Sequence, residues 1–257
     1  MRETAGVSTR RGVPLLVAIL LAGCGGGGGH TATGGDKQRK SHGGATRAPT
    51  RAQALAFAHA VNLTSADLPG FRHSPKHDSE TQREKRFTER LRRCAGMSGS
   101  ASAGPGGALA EQDSGSFRLR RDVLELAVSS EVSVERRPDL AVRQLAVIRS
   151  KRVRECFASY LNLVLRSESH AGATLKPVSI QAGTPPAPGA TGSFGWRITE
   201  PFTVRGVRLS LYVDILGFVI GPARVTLVSS GAVRPFPAEV QQRLFALLLA
   251  RARAQHS

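Results

Sequence analysis

Residues 207–230, VRLSLYVDILGFVIGPARVTLVSS, read as two β-strands and the turn between them. In the first, Val207, Leu209, Leu211, Val213 and Ile215 share one face, at the period of two that a strand imposes. The other face begins polar with Arg208, Ser210 and Asp214, then turns apolar at Leu216, Phe218 and Ile220. Arg205-Gly206 and Gly221-Pro222 punctuate the run as tight antiparallel connections do. The stretch therefore predicts long strands at Val207–Ile220 and Arg224–Ser230. Its second apolar patch requires a cover or a partner.

Working upstream, Phe194–Thr203 and Thr174–Ala182 read as further strands around the Pro/Gly loop 184–193. Between Val123 and Val134, Leu124, Leu126, Val128, Val132 and Val134 alternate with Glu125, Ser129, Glu131 and Ser133, the pattern of a half-buried strand. Pro138 suits the first turn of a helix that runs to about Ile148. After a break near Ser150, a second helix to Ser167 is expected to bury Val153, Cys156, Phe157, Tyr160 and Val164. Downstream, Pro237, Glu239 and the run Val240–Leu249 predict a C-terminal helix lying across the sheet. Nearer the N-terminus, Ala54, Leu55, Ala58 and Val61 recur at helical spacing between Thr50 and Asn62. A helix over Ser79–Met97 carries Phe87, Leu91 and Cys94 on one face and Lys85, Glu89, Arg92 and Arg93 on the other, so Cys94 is expected to face the core. The Gly/Ser/Ala-rich residues 96–116 read as a mobile surface loop. This order of elements predicts one α+β domain over residues 50–254, an antiparallel sheet of about five strands with helices packed on one face.

The N-terminus has a different character. Arg2, Arg10 and Arg11 precede an apolar run from Val13 to Ala22, which is too short for the roughly 20 residues a membrane-spanning helix needs. It closes on Leu21-Ala22-Gly23-Cys24, which resembles the lipobox of bacterial lipoprotein precursors. That resemblance implies cleavage before Cys24, lipidation of its thiol, and a lipid-anchored position on the extracytoplasmic side of the cell membrane. Residues 1–23 are then a signal peptide. Residues 24–49, with five consecutive glycines and almost no apolar content, are a disordered tether.

The formal charge is +17, and removing Arg2, Arg10, Arg11 and Glu3 with the leader leaves +15. A basic surface calls for an anionic partner. For an exported chain, lipid headgroups, acidic envelope polymers or another envelope protein are nearer than nucleic acid, which is not expected as a partner. Arg86, Arg90 and Arg93 on one helix, and Lys151 and Arg152 at a helix junction, are the candidate anionic-partner surface, against the plainer reading of solvated helix faces. The chain is expected to act as a monomer.

From the 211–230 hairpin, the final helix and the two helical cysteines, residues 50–254 resemble the extracellular sensor domain of the mycobacterial kinase PknH and LpqN-type actinobacterial lipoproteins. That resemblance implies non-catalytic ligand binding or sensing. Where that sensor domain has two disulfides, this chain has cysteines for one. With Cys24 lipidated, Cys94 and Cys156 remain, an even number in an oxidising compartment. A bridge between them is expected. Two buried thiols are the alternative, because periodicity sets direction and not the roughly 5.5 Å Cα separation a disulfide needs.

No Gly-x-Ser-x-Gly elbow, His-Glu-x-x-His or phosphate loop is present. Pro75, between His73 and His77, opposes the helix that would align two rings on a metal. His59 reads as a helix-surface or core-edge residue, and Asp214 has no identifiable His or Ser partner. No enzyme activity, metal or cofactor is expected. The alternative is a hydrolase of envelope polymers with a site assembled from dispersed residues.

Overall fold

A computed structural model describes residues 48–75, 89–91, 93–95, 108–121, 124–168, 173–204 and 206–256. Residues 1–23, read above as a signal peptide, Cys24, nearly all of the expected tether, His77 and Arg86 lie outside them. In chain order the elements are α1 Arg51–Val61, β1 Arg72–Ser74, β2 Ala110–Asp113, β3 Ser116–Arg121, β4 Leu124–Val134, α2 Pro138–Arg149 and α3 Lys151–Glu168. Then follow β5 Ala173–Leu175, β6 Ser179–Gly183, β7 Gly192–Val204, β8 Val207–Ile220, β9 Ala223–Ala232 and α4 Ala238–His256.

The local chemistry explains the boundaries. Thr50 caps α1 reciprocally with Gln53, each side chain bonding the other's backbone N–H. Pro138 opens α2, and the chain leaves helical geometry at Ser150 before α3. β8 and β9 turn through Gly221, whose φ of 52° is the left-handed conformation glycine adopts without penalty.

The class is α+β, as expected, but the sheet has nine strands rather than five, all pairs antiparallel. They run β1-β3-β4-β9-β8-β7-β5, with β2 also on β4 and β6 also on β7. The extra strands are short edge pieces. β2 and β3 share one edge of β4, and between them the register shifts from Asp113↔Glu131 to Phe117↔Val128 across a bulge at Ser114-Gly115. Part of the stretch read as a loop is thus a strand, held by pairing with β4 rather than by its own propensity. Likewise Thr174–Ala182, read as one strand, is two segments, both paired with β7.

The helices cover both faces of the sheet, not one. Even positions of β4 and odd positions of β9 form one face: Val128, Val132, Val225 and Leu227 pack with Ala54, Ala58 and Val61 of α1 and Leu244, Leu248 and Leu249 of α4. The Leu216–Phe218–Ile220 patch belongs here, and α4 supplies its cover, with the Phe218 and Phe245 rings edge to face at 5.5 Å. On the opposite face, Trp196, Ile198, Val213, Ile215 and Val228 pack beneath Ala141 and Leu145 of α2 and Val153, Phe157 and Leu161 of α3. A strand apolar on both faces along half its length cannot serve a two-layer fold, because the second face would remain in water. Among the described residues, no helix is long and apolar enough to cross a membrane.

Candidate ligand cleft and basic surface

β7 and β8 pair over their whole length, but on the α1/α4 side the core packs only against Leu216, Phe218 and Ile220 of these two strands among the described residues. At the end nearest Gly206, Thr203 stands opposite Arg208, Pro201 opposite Ser210 and Thr199 opposite Tyr212, all on the α1/α4 side. β5 extends this floor by pairing Thr174 with Thr203, and Lys176 N–H donates to the Pro201 carbonyl at 3.0 Å. On the other side the chain leaving β9 forms a wall. Val233 donates its N–H to the Ser210 carbonyl at 2.9 Å, with φ at 74°. A β-branched residue there is strained by about 1–3 kcal/mol. The turn sends residues 234–236 over Gly231, where any side chain would overlap the Arg234 carbonyl.

Floor and wall enclose an open cleft of about 270 Å³ lined by Lys176, Pro201, Phe202, Thr203, Arg208, Leu209, Ser210, Tyr212 and Val233. Lys176 and Arg208 are exposed, while Thr203, Ser210 and Tyr212 are half-buried. None of these lining residues is acidic. The next carboxylate along the face, Asp214, is buried and held by Arg197 at 2.7 Å. The cleft is therefore cationic, rich in hydroxyls, and apolar along part of its wall.

The cysteine expectation is met: Cys94 and Cys156 are bonded with Cα atoms 5.8 Å apart. Cys156 is buried, but Cys94 is exposed rather than core-facing, because it sits at the rim where residues 89–91 and 93–95 meet α3. The same junction gathers four of the five cations singled out above. Arg152 donates to the Cys94 carbonyl at 2.9 Å, Arg93 pairs with Glu89 at 3.2 Å and Lys151 with Glu155 at 3.5 Å, while Arg90 is exposed. The disulfide thus brings two segments far apart in sequence into one predominantly basic surface.

Two polar clusters escaped sequence reasoning. Under α2, Arg224 lies 3.6 Å from Glu131 and donates to Gln144 at 2.9 Å, and Gln144 donates to Glu135 at 2.8 Å. These residues tie α2 to β4 and β9. Arg251 of α4 makes a two-pronged pair with Asp67, at 2.8 and 2.9 Å, and also donates to the Asn62 carbonyl. Burial pushes the Asp67 carboxyl up, but the Arg251 guanidinium and the Thr64 donors outweigh it and hold it below the ordinary carboxylate range. Both clusters join residues from distant elements, so no local spacing marks them. His73 bonds the Ser114 carbonyl and stacks on Phe117, His59 is exposed, and the His256 ring lies against Gly221.

No family model matches the chain, and no curated protein matches it. Among solved structures, it is similar to PA94 of Pseudomonas aeruginosa, a protein of unknown function, at 14% identity over 58% of this chain and 82% of that one, with a TM-score of 0.19. A likeness of that size carries no argument about fold or function.

Proposed function

We propose that the chain is a lipoprotein anchored through Cys24 to the extracytoplasmic side of the cell membrane, its α+β domain binding or sensing a ligand without catalysing a reaction. The cleft between the β7–β8 floor and the Val233 turn carries the reading. A strained β-branched residue shapes the concavity, which offers cations, hydroxyls and apolar wall without an acid or histidine among its described lining residues. The leader and Leu21-Ala22-Gly23-Cys24 support the anchor, and the resemblance to envelope sensor domains agrees with binding rather than turnover. The basic surface around Arg90, Arg93, Lys151 and Arg152 then faces anionic lipid, acidic envelope polymer or another envelope protein.

The test is mass spectrometry of the N-terminal peptide from membrane-fractionated protein. The reading expects Cys24 as the first residue, carrying diacylglycerol, and loss of both modification and membrane retention in Cys24→Ser. Two acyl chains account for stable retention, since each buried methylene contributes about 0.8 kcal/mol and one chain anchors only marginally. An unmodified Cys24 in membrane-bound protein, or a Cys24→Ser chain that is still processed and lipid-bearing, overturns it.

A further inference from the structure

We propose that the cleft at the uncovered end of β7 and β8 is a binding site for a small organic phosphate, with Lys176 and Arg208 as its cations and the Thr203, Ser210 and Tyr212 hydroxyls as its donors. This deepens the ligand-binding reading above, on which it rests, by naming the ligand class. Three observations carry it. The register places Thr203, Arg208, Ser210 and Tyr212 on one face of two adjacent strands, and the β5 pairing brings Lys176 beside them. None of the described residues that line the cleft is acidic, and the nearest described carboxylate along the face, Asp214, is occupied by Arg197, so among the described residues no carboxylate offsets the two cleft cations. The lining also combines these polar groups with Pro201 and Val233, which suit an organic body and not a bare ion.

Phosphate fits the donor count better than carboxylate. A phosphate monoester carries a charge of about −1.5 to −2 and three strong acceptor oxygens. Two cations and three hydroxyls match that inventory, whereas a carboxylate has one charge and two oxygens. Arg208 can bind two oxygens at once and Lys176 contributes a point charge, the division of labour these two side chains usually have toward phosphates. At about 270 Å³ the cleft lies just below the range for drug-sized ligands, so the body attached to the phosphate is small, or its remainder lies outside.

Isothermal titration of the full chain with phenyl phosphate tests the assignment, with benzoate and phenol as matched probes. The expected result is saturable one-to-one binding, weakened about tenfold or more by Arg208→Ala and by Lys176→Ala, since hydrogen bonds to charged groups are the strong ones. Both side chains are exposed, and an unchanged melting temperature shows that each variant is folded. Arg208→Lys is expected to lose less than Arg208→Ala. Glycerol 3-phosphate, and phosphatidylcholine vesicles with and without phosphatidate, distinguish a free organic phosphate from a lipid headgroup as the source, and binding to either that Arg208→Ala weakens sustains the proposal.

Phenyl phosphate binding that both alanine variants leave unchanged, or no binding at millimolar concentration, overturns it. If benzoate or phenol binds as tightly as phenyl phosphate, and Ser210→Trp abolishes that binding, the phosphate assignment falls while the cleft and the ligand-binding reading stand. The anchor is untouched by any of these results, because the mass of the Cys24 peptide tests it separately.

Discussion

Replacing Cys94 and Cys156 together by serine removes a cross-link between residues 62 apart in sequence. On the chain-entropy estimate, a loop of that length contributes about 4 kcal/mol. For a domain of 150–250 residues, each kcal/mol moves the melting temperature by about 2–4 °C, so the expected fall is about 8–16 °C. The structure also indicates where the loss begins. Cys94 is exposed, and besides the disulfide the residues around it are held by the Arg152 bond to the Cys94 carbonyl and the packing of Leu91 and Ala95 against the α2/α3 core. Without the bridge this segment opens before the sheet does. Calorimetry of oxidised, reduced and double-serine protein measures the global effect, and hydrogen exchange at 89–95 measures the local one. Cys94 and Cys156 titrating as free thiols in denatured, unreduced protein, or a shift below about 2 °C, refutes the reasoning.

Phe245→Ala removes the ring that meets Phe218 edge-on and is expected to cost about 3–5 kcal/mol in urea unfolding, with the denaturant slope unchanged; a cost below about 1 kcal/mol shows that α4 is not docked as described. Asp67 has a depressed folded-state pKa, so its pair with Arg251 adds stability above its unfolded value of about 3.9 and loses it as pH falls through the lower folded value. The stability gap between wild type and Asp67→Asn is therefore expected to be constant near neutrality and to close below about pH 4; a gap that widens on acidification contradicts this sign. Arg93→Glu with Arg152→Glu is expected to abolish association with anionic vesicles, which in wild type weakens steeply between low and physiological salt as the Debye length falls to about 8 Å. Salt-insensitive association, or association unchanged in the variant, removes the basic surface as a docking element.

The long elements were legible because burial imposes a period on them. Val207–Ile220 starts and ends where alternation and the flanking glycines place it, and Pro138 and Ser150 mark the limits of α2. The edge strands were not legible. Ala110–Asp113 reads Ala-Glu-Gln-Asp, with no strand propensity, and takes its conformation from β4. The second helical layer was half-visible: Leu216, Phe218 and Ile220 demanded a cover and the C-terminal helix was expected on the sheet, but nothing in the sequence said it would lie opposite α2 and α3. For the cysteines, helical periodicity indicated the buried side of Cys156 but not the exposed position of Cys94 at the junction rim. The cleft was hidden for a different reason. Lys176, Arg208 and Val233 lie on three separate segments, and only the β5–β7–β8 register and one left-handed valine bring them together.

Hydrogen exchange of the full chain with and without saturating phenyl phosphate tests most directly whether the uncovered end of the sheet is where the domain meets its ligand. The account predicts added protection confined to peptides covering Lys176, residues 201–212 and the Val233 turn, with α2, α3 and α4 unchanged. Protection centred on the α2/α3 layer, or none under conditions where calorimetry detects binding, contradicts it.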